Sequence, residues 1–486
     1  MKMVKSLLLG SAAGLAAITG AQAADLPVKA KAVEYVKVCS AYGAGFYYIP
    51  GTDTCLQVGG YARFDTYINA VGTFNPAISS VSGTIFNAAG AGVAGFPFST
   101  NDSSDYLTRA RAVAKLDART ATDYGVLRSY IAFGGQWDSQ AQAGTPAGGS
   151  FYLERAFIQF AGFTFGYTQS FFDPGINYGM TQLYAGSNTW TTALAYTAQF
   201  GNGFSATLSL EDAANRTTGV QGTATQNLTF TASGAPSVTT GFGYSNYQEG
   251  QQAPDIVANL RLDQAWGSAM ISGALHQVGA MTPPGAATGV AYLGQTGTDS
   301  WGWAIGGAVE IKLPTLAAGD SLFIQANYAD GALNYLGLSG SSTGRATALG
   351  SIDLGTSVLN GGGAYYPIAD AVWDATTLSY NKESGWAIQG QFRHYWVPNL
   401  RSAVLGGYAQ VDVPENTVNA YDVNVWQVGL NTIWSPVKGL DLGVEVLYSK
   451  VEGEIPLSRS TTNGVSSIVG GSTDVWSGGI RAQRNF

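Results

Sequence analysis

The chain is poor in charge, in histidine and in cysteine. Asp, Glu, Lys and Arg make up 12% of its 486 residues, and histidine and cysteine occur twice each. Beyond the first two dozen residues there is no continuous apolar run of the ~20 residues that a membrane-spanning helix needs. Two histidines leave little room for hydrolytic chemistry, which needs a His beside a Ser or Asp. His394 shares its parity with Phe392 and Trp396, which suits an interfacial ring, and His276 has no convincing partner nearby in sequence. No Gly-x-Ser-x-Gly, dinucleotide fingerprint, Walker loop, zinc spacing or EF-hand pattern occurs, so no enzyme activity, cofactor or metal is expected. No basic patch suggests nucleic acid.

Glycine is abundant (65 residues), aromatics reach 12%, and mean hydropathy is near zero at +0.06. Residues 1–23 have the pattern of an export signal: Lys2 and Lys5, an apolar stretch from Leu7 to Ile18, and the A-x-A site Ala21-Gln22-Ala23. Cleavage near Ala23 would take the formal net charge from −8 to −10. Residues 24–55 read as a polar periplasmic lead-in ending in a loop between Cys39 and Cys55. In an exported chain these two cysteines point to a disulfide. Closing a loop of this size stabilises by roughly 3 kcal/mol on the chain-entropy model.

From Leu56 onward the dominant signal is period two. Trp301, Trp303, Ile305, Val309 and Ile311 share one face, against Gly302, Ala304, Gly306, Glu310 and Lys312. Phe204 to Leu210, Ile256 to Leu262 and Leu442 to Tyr448 alternate in the same way, with the charges always on one parity. Without an apolar helix, only a closed barrel pairs every backbone group inside a bilayer. The expected fold is therefore all-β, a transmembrane antiparallel β-barrel over residues 56–486, with outward apolar and inward polar faces. Short connections (near 118–124, 161–162, 201–203, 264–267, 314–320, 397–400 and 435–440) alternate with long ones (near 70–104, 135–149, 170–189, 213–252, 279–299, 331–383 and 452–472). Counting 369–380 as a strand gives seventeen. Both chain ends on the periplasmic side require an even number, so that segment belongs in the sixth long loop and the next strand starts near Ser384. Sixteen strands result. Trp301, Trp303, Trp396, Trp434, Tyr448, Trp476 and Phe486 sit at strand ends, as an interfacial girdle requires.

The stretch Val38 to Asp65, VCSAYGAGFYYIPGTDTCLQVGGYARFD, resembles the start of the alphaproteobacterial (Brucella- and Rhizobium-type) porin family. LERAFIQFAGFTFGYTQSFFD at 153–173, HYWVPNLRSAVLGGY at 394–408 and the terminal RAQRNF are similar to it too. The resemblance implies a 16-stranded homotrimeric channel in the bacterial outer membrane for passive diffusion of small hydrophilic solutes. It also implies a third loop folded into the barrel to constrict it, and Phe486 as a C-terminal signal to the outer-membrane insertion machinery. A substrate-selective channel for sugars or anions shares that fold, and a hydrolase barrel is the remote alternative.

Parity puts Arg63, Arg109, Arg111 and Arg128 on the charged face of the first three strands, and the fourth adds Arg155, beside a Glu154 of opposite parity. A lipid-facing Arg at the midplane costs ~2–4 kcal/mol, so these side chains are expected to line water; that they form a basic constriction wall facing the third loop is what the family resemblance implies. The third loop, 170–189, has Asp173 as its only acid, and Phe171, Phe172, Tyr178 and Tyr184 as expected anchors to the inner wall.

Overall fold

The computed structural model describes residues 37–71, 106–139, 147–222, 248–280, 298–338, 368–374, 379–414, 422–454 and 467–486, with short stretches within 75–93 and 225–246. The expected export signal (1–23), the start of the lead-in (24–36) and much of the long loops lie outside the described residues. The chain divides into two units, Met1–Leu56 and Gln57–Phe486. In the first, Cys39 and Cys55 form the expected disulfide, with Cα atoms 6.0 Å apart, and are buried together with Phe46.

The second unit is a barrel of sixteen strands. They are β1 (Cys55–Ile68), β2 (Tyr106–Thr122), β3 (Gly125–Asp138), β4 (Gly148–Phe160), β5 (Phe163–Gln169), β6 (Trp190–Gly201), β7 (Phe204–Glu211) and β8 (Asp255–Gln264). There follow β9 (Gly267–Ala280), β10 (Thr298–Lys312), β11 (Ser321–Asp330), β12 (Ser384–Val397), β13 (Leu400–Asp412), β14 (Asp422–Val437), β15 (Leu440–Glu454) and β16 (Ser467–Asn485). Each strand pairs with its sequence neighbours, antiparallel wherever the register is defined. The sheet closes where β16 meets β1, from Tyr61↔Asn485 to Ile68↔Gly478. Gly60 and Phe486 exchange both backbone bonds (3.0 and 3.1 Å) at the end of this seam, and the Phe486 ring is exposed.

Period two separates the faces. On β1, Val58, Phe64 and Ile68 are exposed, whereas Tyr61, Asp65 and Tyr67 are buried. On β10, Trp301, Trp303 and Ile305 point outward and Ala304 inward. An outer face of exposed Leu, Val, Ile and Trp suits lipid. Ring pairs Trp303–Tyr328, Trp386–Tyr408, Trp426–Tyr448 and Tyr448–Trp476, with centroids 4.9–5.3 Å apart, run along this face near the long-loop end. Trp396 and Trp434 lie exposed near the short-turn end.

The tight turns follow local chemistry. Asn202 and Gly203 take φ of 48° and 74°, a two-residue connection that fits strand twist and that Asn-Gly adopts at low cost. Segment 170–189 is a long connection with the expected bounds. The third strand runs on to Asp138, so the expected 135–149 loop shrinks to 139–147. The alternation near 369–380 belongs to two short strands, Ala371–Asp374 and Ser379–Lys382. They form a separate small sheet with Val220–Gly222 and Ser245–Asn246 and leave the barrel count at sixteen.

Candidate functional site

The inner face of β1–β4 and β16 is basic. Arg63 and Arg481 both pair with the fully buried Asp65, at 3.0 and 2.7 Å. Arg119 and Arg128 share Asp117, at 2.7 and 2.9 Å, and Arg109 pairs with Asp138 across the β2–β3 register. Three cations have no carboxylate in salt-bridge range among the described residues. Arg111 donates to Gln136 Oε1 and lies over the Tyr152 ring, Lys115 lies over Tyr61, and Arg155 lies over Trp190 at 4.5 Å. Lys115, Ala132 and Arg155 occupy one cross-strand row.

Arg155 reaches this face through a β-bulge. The β3–β4 register steps from Ala132↔Arg155 to Phe133↔Leu153, so Glu154 is the extra residue. Phe151 and Leu153 are exposed before it and Ile158 after it, which reverses the parity. Glu154 and Arg155 therefore both point inward, and Tyr61 Oη donates to Glu154 at 3.4 Å. The broken alternation of the fourth strand has this cause. In all, eight cations (Arg63, Arg109, Arg111, Lys115, Arg119, Arg128, Arg155 and Arg481) face four carboxylates (Asp65, Asp117, Asp138 and Glu154) on this wall, among the described side chains.

Residues 170–189 run along inward-facing side chains of the remaining wall. Glu211 (β7) accepts from Phe171 N, while Asn259 (β8) and Ser272 (β9) donate to the carbonyls of Phe171 and Phe172. Gln391 (β12) accepts from Tyr178 N at 2.6 Å, and Glu310 (β10) accepts from Tyr178 Oη. Glu445 (β15) accepts from Met180 N, Thr181 N and Thr181 Oγ1, and Gln427 (β14) from Tyr184 N. A segment without regular structure thus has its backbone satisfied by the barrel's side chains. Phe172, Tyr178 and Tyr184 are buried, and Phe171 packs partly against the same core. Burial raises the phenol pKa of Tyr184, and burial together with the Glu310 bond raises that of Tyr178, so both stay neutral.

Asp173 is not a free charge of this segment. Its side chain is fully buried against Arg216 at 3.0 Å, and it accepts from Ser187 Oγ and Thr189 N. Arg216 also donates to Ser187 and stacks on Tyr335 at 4.2 Å. His276, expected without a partner, is buried between Asp255 (2.7 Å) and Asp370 (3.6 Å), the latter supplied by a distant loop. Ser272, on the same inward face, donates to Phe172 O. His394 contacts Phe392 and Trp396, as its parity suggested, and bonds Asp320 at 2.6 Å. Sequence reasoning missed Arg481, although its parity on the last strand marks it. It also missed Arg216 and Glu445, whose partners no local pattern reveals.

A family model described as a porin subfamily matches residues 25–479. Porin Omp2b of Brucella suis biovar 1 (strain 1330) is 32% identical over 283 residues, covering 54% of this chain and 64% of that protein. Porin Omp2b of Brucella abortus (strain 2308) gives the same figures. The matched region thus spans less than two thirds of the length of these curated relatives. Among solved structures, the outer membrane channel DcaP of Acinetobacter baumannii matches with a TM-score of 0.56 at 16% identity, covering 90% of this chain and 99% of that one. At that identity the likeness concerns the fold.

Proposed function

The chain belongs to the porin subfamily, and from that premise we propose that it forms a water-filled channel in the bacterial outer membrane for passive diffusion of small hydrophilic solutes and ions. One observation carries the reading: a closed barrel with an apolar outside holds, by its inward side chains, the backbone of the 170–189 segment. In this reading that segment narrows the lumen, and solutes pass between it and the basic wall that includes Arg63, Arg109, Arg111, Arg128 and Arg155. Phe171, Phe172, Tyr178 and Tyr184 anchor the segment, and Asp173 ties its base. Catalysis has no part in it.

Anions are favoured at the narrowest level. The wall carries twice as many cations as carboxylates, and the loop's only acid is neutralised by Arg216. The overall charge of −8 acts at the vestibules, where salt screens it more. A homotrimer is part of the proposal. Small outward residues on neighbouring strands, Ala62, Ala110, Ala112, Gly135 and Ala482, support close approach of a second copy there. The exposed ring of Phe486 supports its reading by the insertion machinery.

The test is conductance of the refolded protein in a planar bilayer under a KCl gradient. Steps in sets of three with a reversal potential toward chloride are expected. A correctly folded barrel without conductance overturns the channel, and a potential toward potassium overturns the anion preference.

A further inference from the structure

On strands β8, β12 and β14 the inward face changes character along the strand. At one level it offers polar hooks to the 170–189 segment: Asn259, Gln391, Gln427 and Asn431. One or two inward positions nearer the long-loop end, it becomes small and apolar, with Val257, Ala387 and Val425, joined in one core by Ala274 of β9 and by Ala409 and Val411 of β13. All are buried. A lumen filled with water has no use for a wall of Val and Ala, whose burial is favourable only under an apolar cover. The cover is present. Leu333, Tyr335, Leu336, Leu338 and Ile368, from the two legs of the connection between β11 and β12, each show no solvent exposure and complete the same core.

We propose that the two described legs of the sixth long loop, residues 331–338 and 368–370, form a second insert inside the barrel, stacked on the outer side of the third, and that they restrict the outer part of the pore to the side of β16 and β1–β5. The proposal rests on the channel reading above and adds an element that selects solutes by size before they reach the basic wall.

The two inserts are joined. Gly186 N donates to Leu336 O at 2.8 Å, and the Phe172 and Tyr335 rings meet edge-on at 4.7 Å. Their backbones cross at Gly186 (φ +100°) and Gly337 (φ +92°), where a Cβ on Gly337 would lie 2.3 Å from Tyr184 O. Only glycine fits that crossing. The second insert is also tied to the wall. Asn327 donates to Tyr335 O, Tyr335 Oη donates to Asp255 at 2.6 Å, and Asp370 accepts from the N–H groups of Leu333 and Thr218. A segment held by these bonds, with its apolar side chains wholly buried, is a fixed filling rather than a surface loop.

The chain's two cysteines are joined in a disulfide, so an introduced cysteine is the only thiol. Leu336→Cys and Lys115→Cys channels would be exposed in bilayers to a cationic methanethiosulfonate reagent while current is recorded. Lys115→Cys is expected to react and change conductance, and Leu336→Cys to conduct normally and react at least about 100-fold more slowly, because its thiol is reached only through local opening. Leu336→Cys reacting within tenfold of Lys115→Cys overturns the insert. Failure of both to react, or to conduct, refutes the water-filled lumen itself. Replacing 333–370 by a short Gly-Ser link removes both described legs and is expected to raise conductance. An unchanged conductance from that folded variant also overturns the proposal.

Discussion

Arg216→Met tests the ion pair that fixes the base of the third loop. Both side chains of the Arg216–Asp173 pair are fully buried. Burial alone pulls the guanidinium pKa down, but Asp173, Tyr335 and Glu211 outweigh it, so the group is held charged. Removing the arginine leaves a carboxylate without its counter-ion in a dry site, which costs about 3–5 kcal/mol. The barrel has sixteen paired strands and does not need this pair to stay closed, so the cost is expected to appear as local opening of the loop. At one decade per ~1.4 kcal/mol, the amides of Gly186 and Thr189 should exchange with deuterium about 10²–10⁴-fold faster than in the parent. Gly186 N is bonded to Leu336 O and Thr189 N to Asp173, so both report directly on the docked state. The double variant Asp173→Asn/Arg216→Met removes both charges and should recover at least half of the loss, because a neutral replacement of a buried pair is often tolerated. Exchange in Arg216→Met within tenfold of the parent, or additive losses in the double variant, would refute the argument.

Three other outcomes are expected. Glu445→Ala strips the acceptor from Met180 N, Thr181 N and Thr181 Oγ1, at about 1.5–3 kcal/mol for each charge-assisted bond, so single-channel recordings should become noisy while Glu445→Gln stays quieter; equal noise in both would count against the anchoring role. The Glu383 carboxyl, just before β12, is pushed well above the usual range by burial, with Asp370 and Asp422 reinforcing it against the Ala369 N–H. A raised folded pKa gives stabilisation that is complete below ~pH 4 and is lost as pH rises, so the thermal midpoint should fall more between pH 4 and 8 in the parent than in Glu383→Gln; parallel slopes would remove this group from the account. Reducing Cys39–Cys55 should cost roughly 3 kcal/mol within the first unit, seen as faster proteolysis between residues 37 and 56, and leave conductance unchanged. A reduced protein that no longer conducts would show the unit to be needed by the channel.

The barrel was legible because period two is a strictly local signal: Trp301 to Ile311 and Leu442 to Tyr448 announce their faces residue by residue. The bounds of the third loop were legible because alternation stops at Gln169 and resumes at Trp190. The segment 369–380 alternates too, and only the parity of the strand count removed it from the barrel. What stayed hidden depends on distance in sequence. Arg216 meets Asp173 across 43 residues, and Glu445 meets Met180 across 265. The bulge at Glu154 left a trace, a broken alternation, whose meaning needs the β3 register. The apolar inward positions Ala409, Val411 and Val425 were in plain view. They are informative only once one knows that a lumen should be polar there.

The hydrogen bonds of the third loop also bear on the order in which the chain folds. They come from side chains on β7, β8, β9, β10, β12, β14 and β15, so the loop has no complete set of partners until nearly the whole chain has paired. Contacts of such long separation form late, because the loop-closure entropy comes before any of them is gained. On the channel reading proposed above, narrowing of the tube then follows its closure, and a time course of conductance during refolding is expected to start high and settle low.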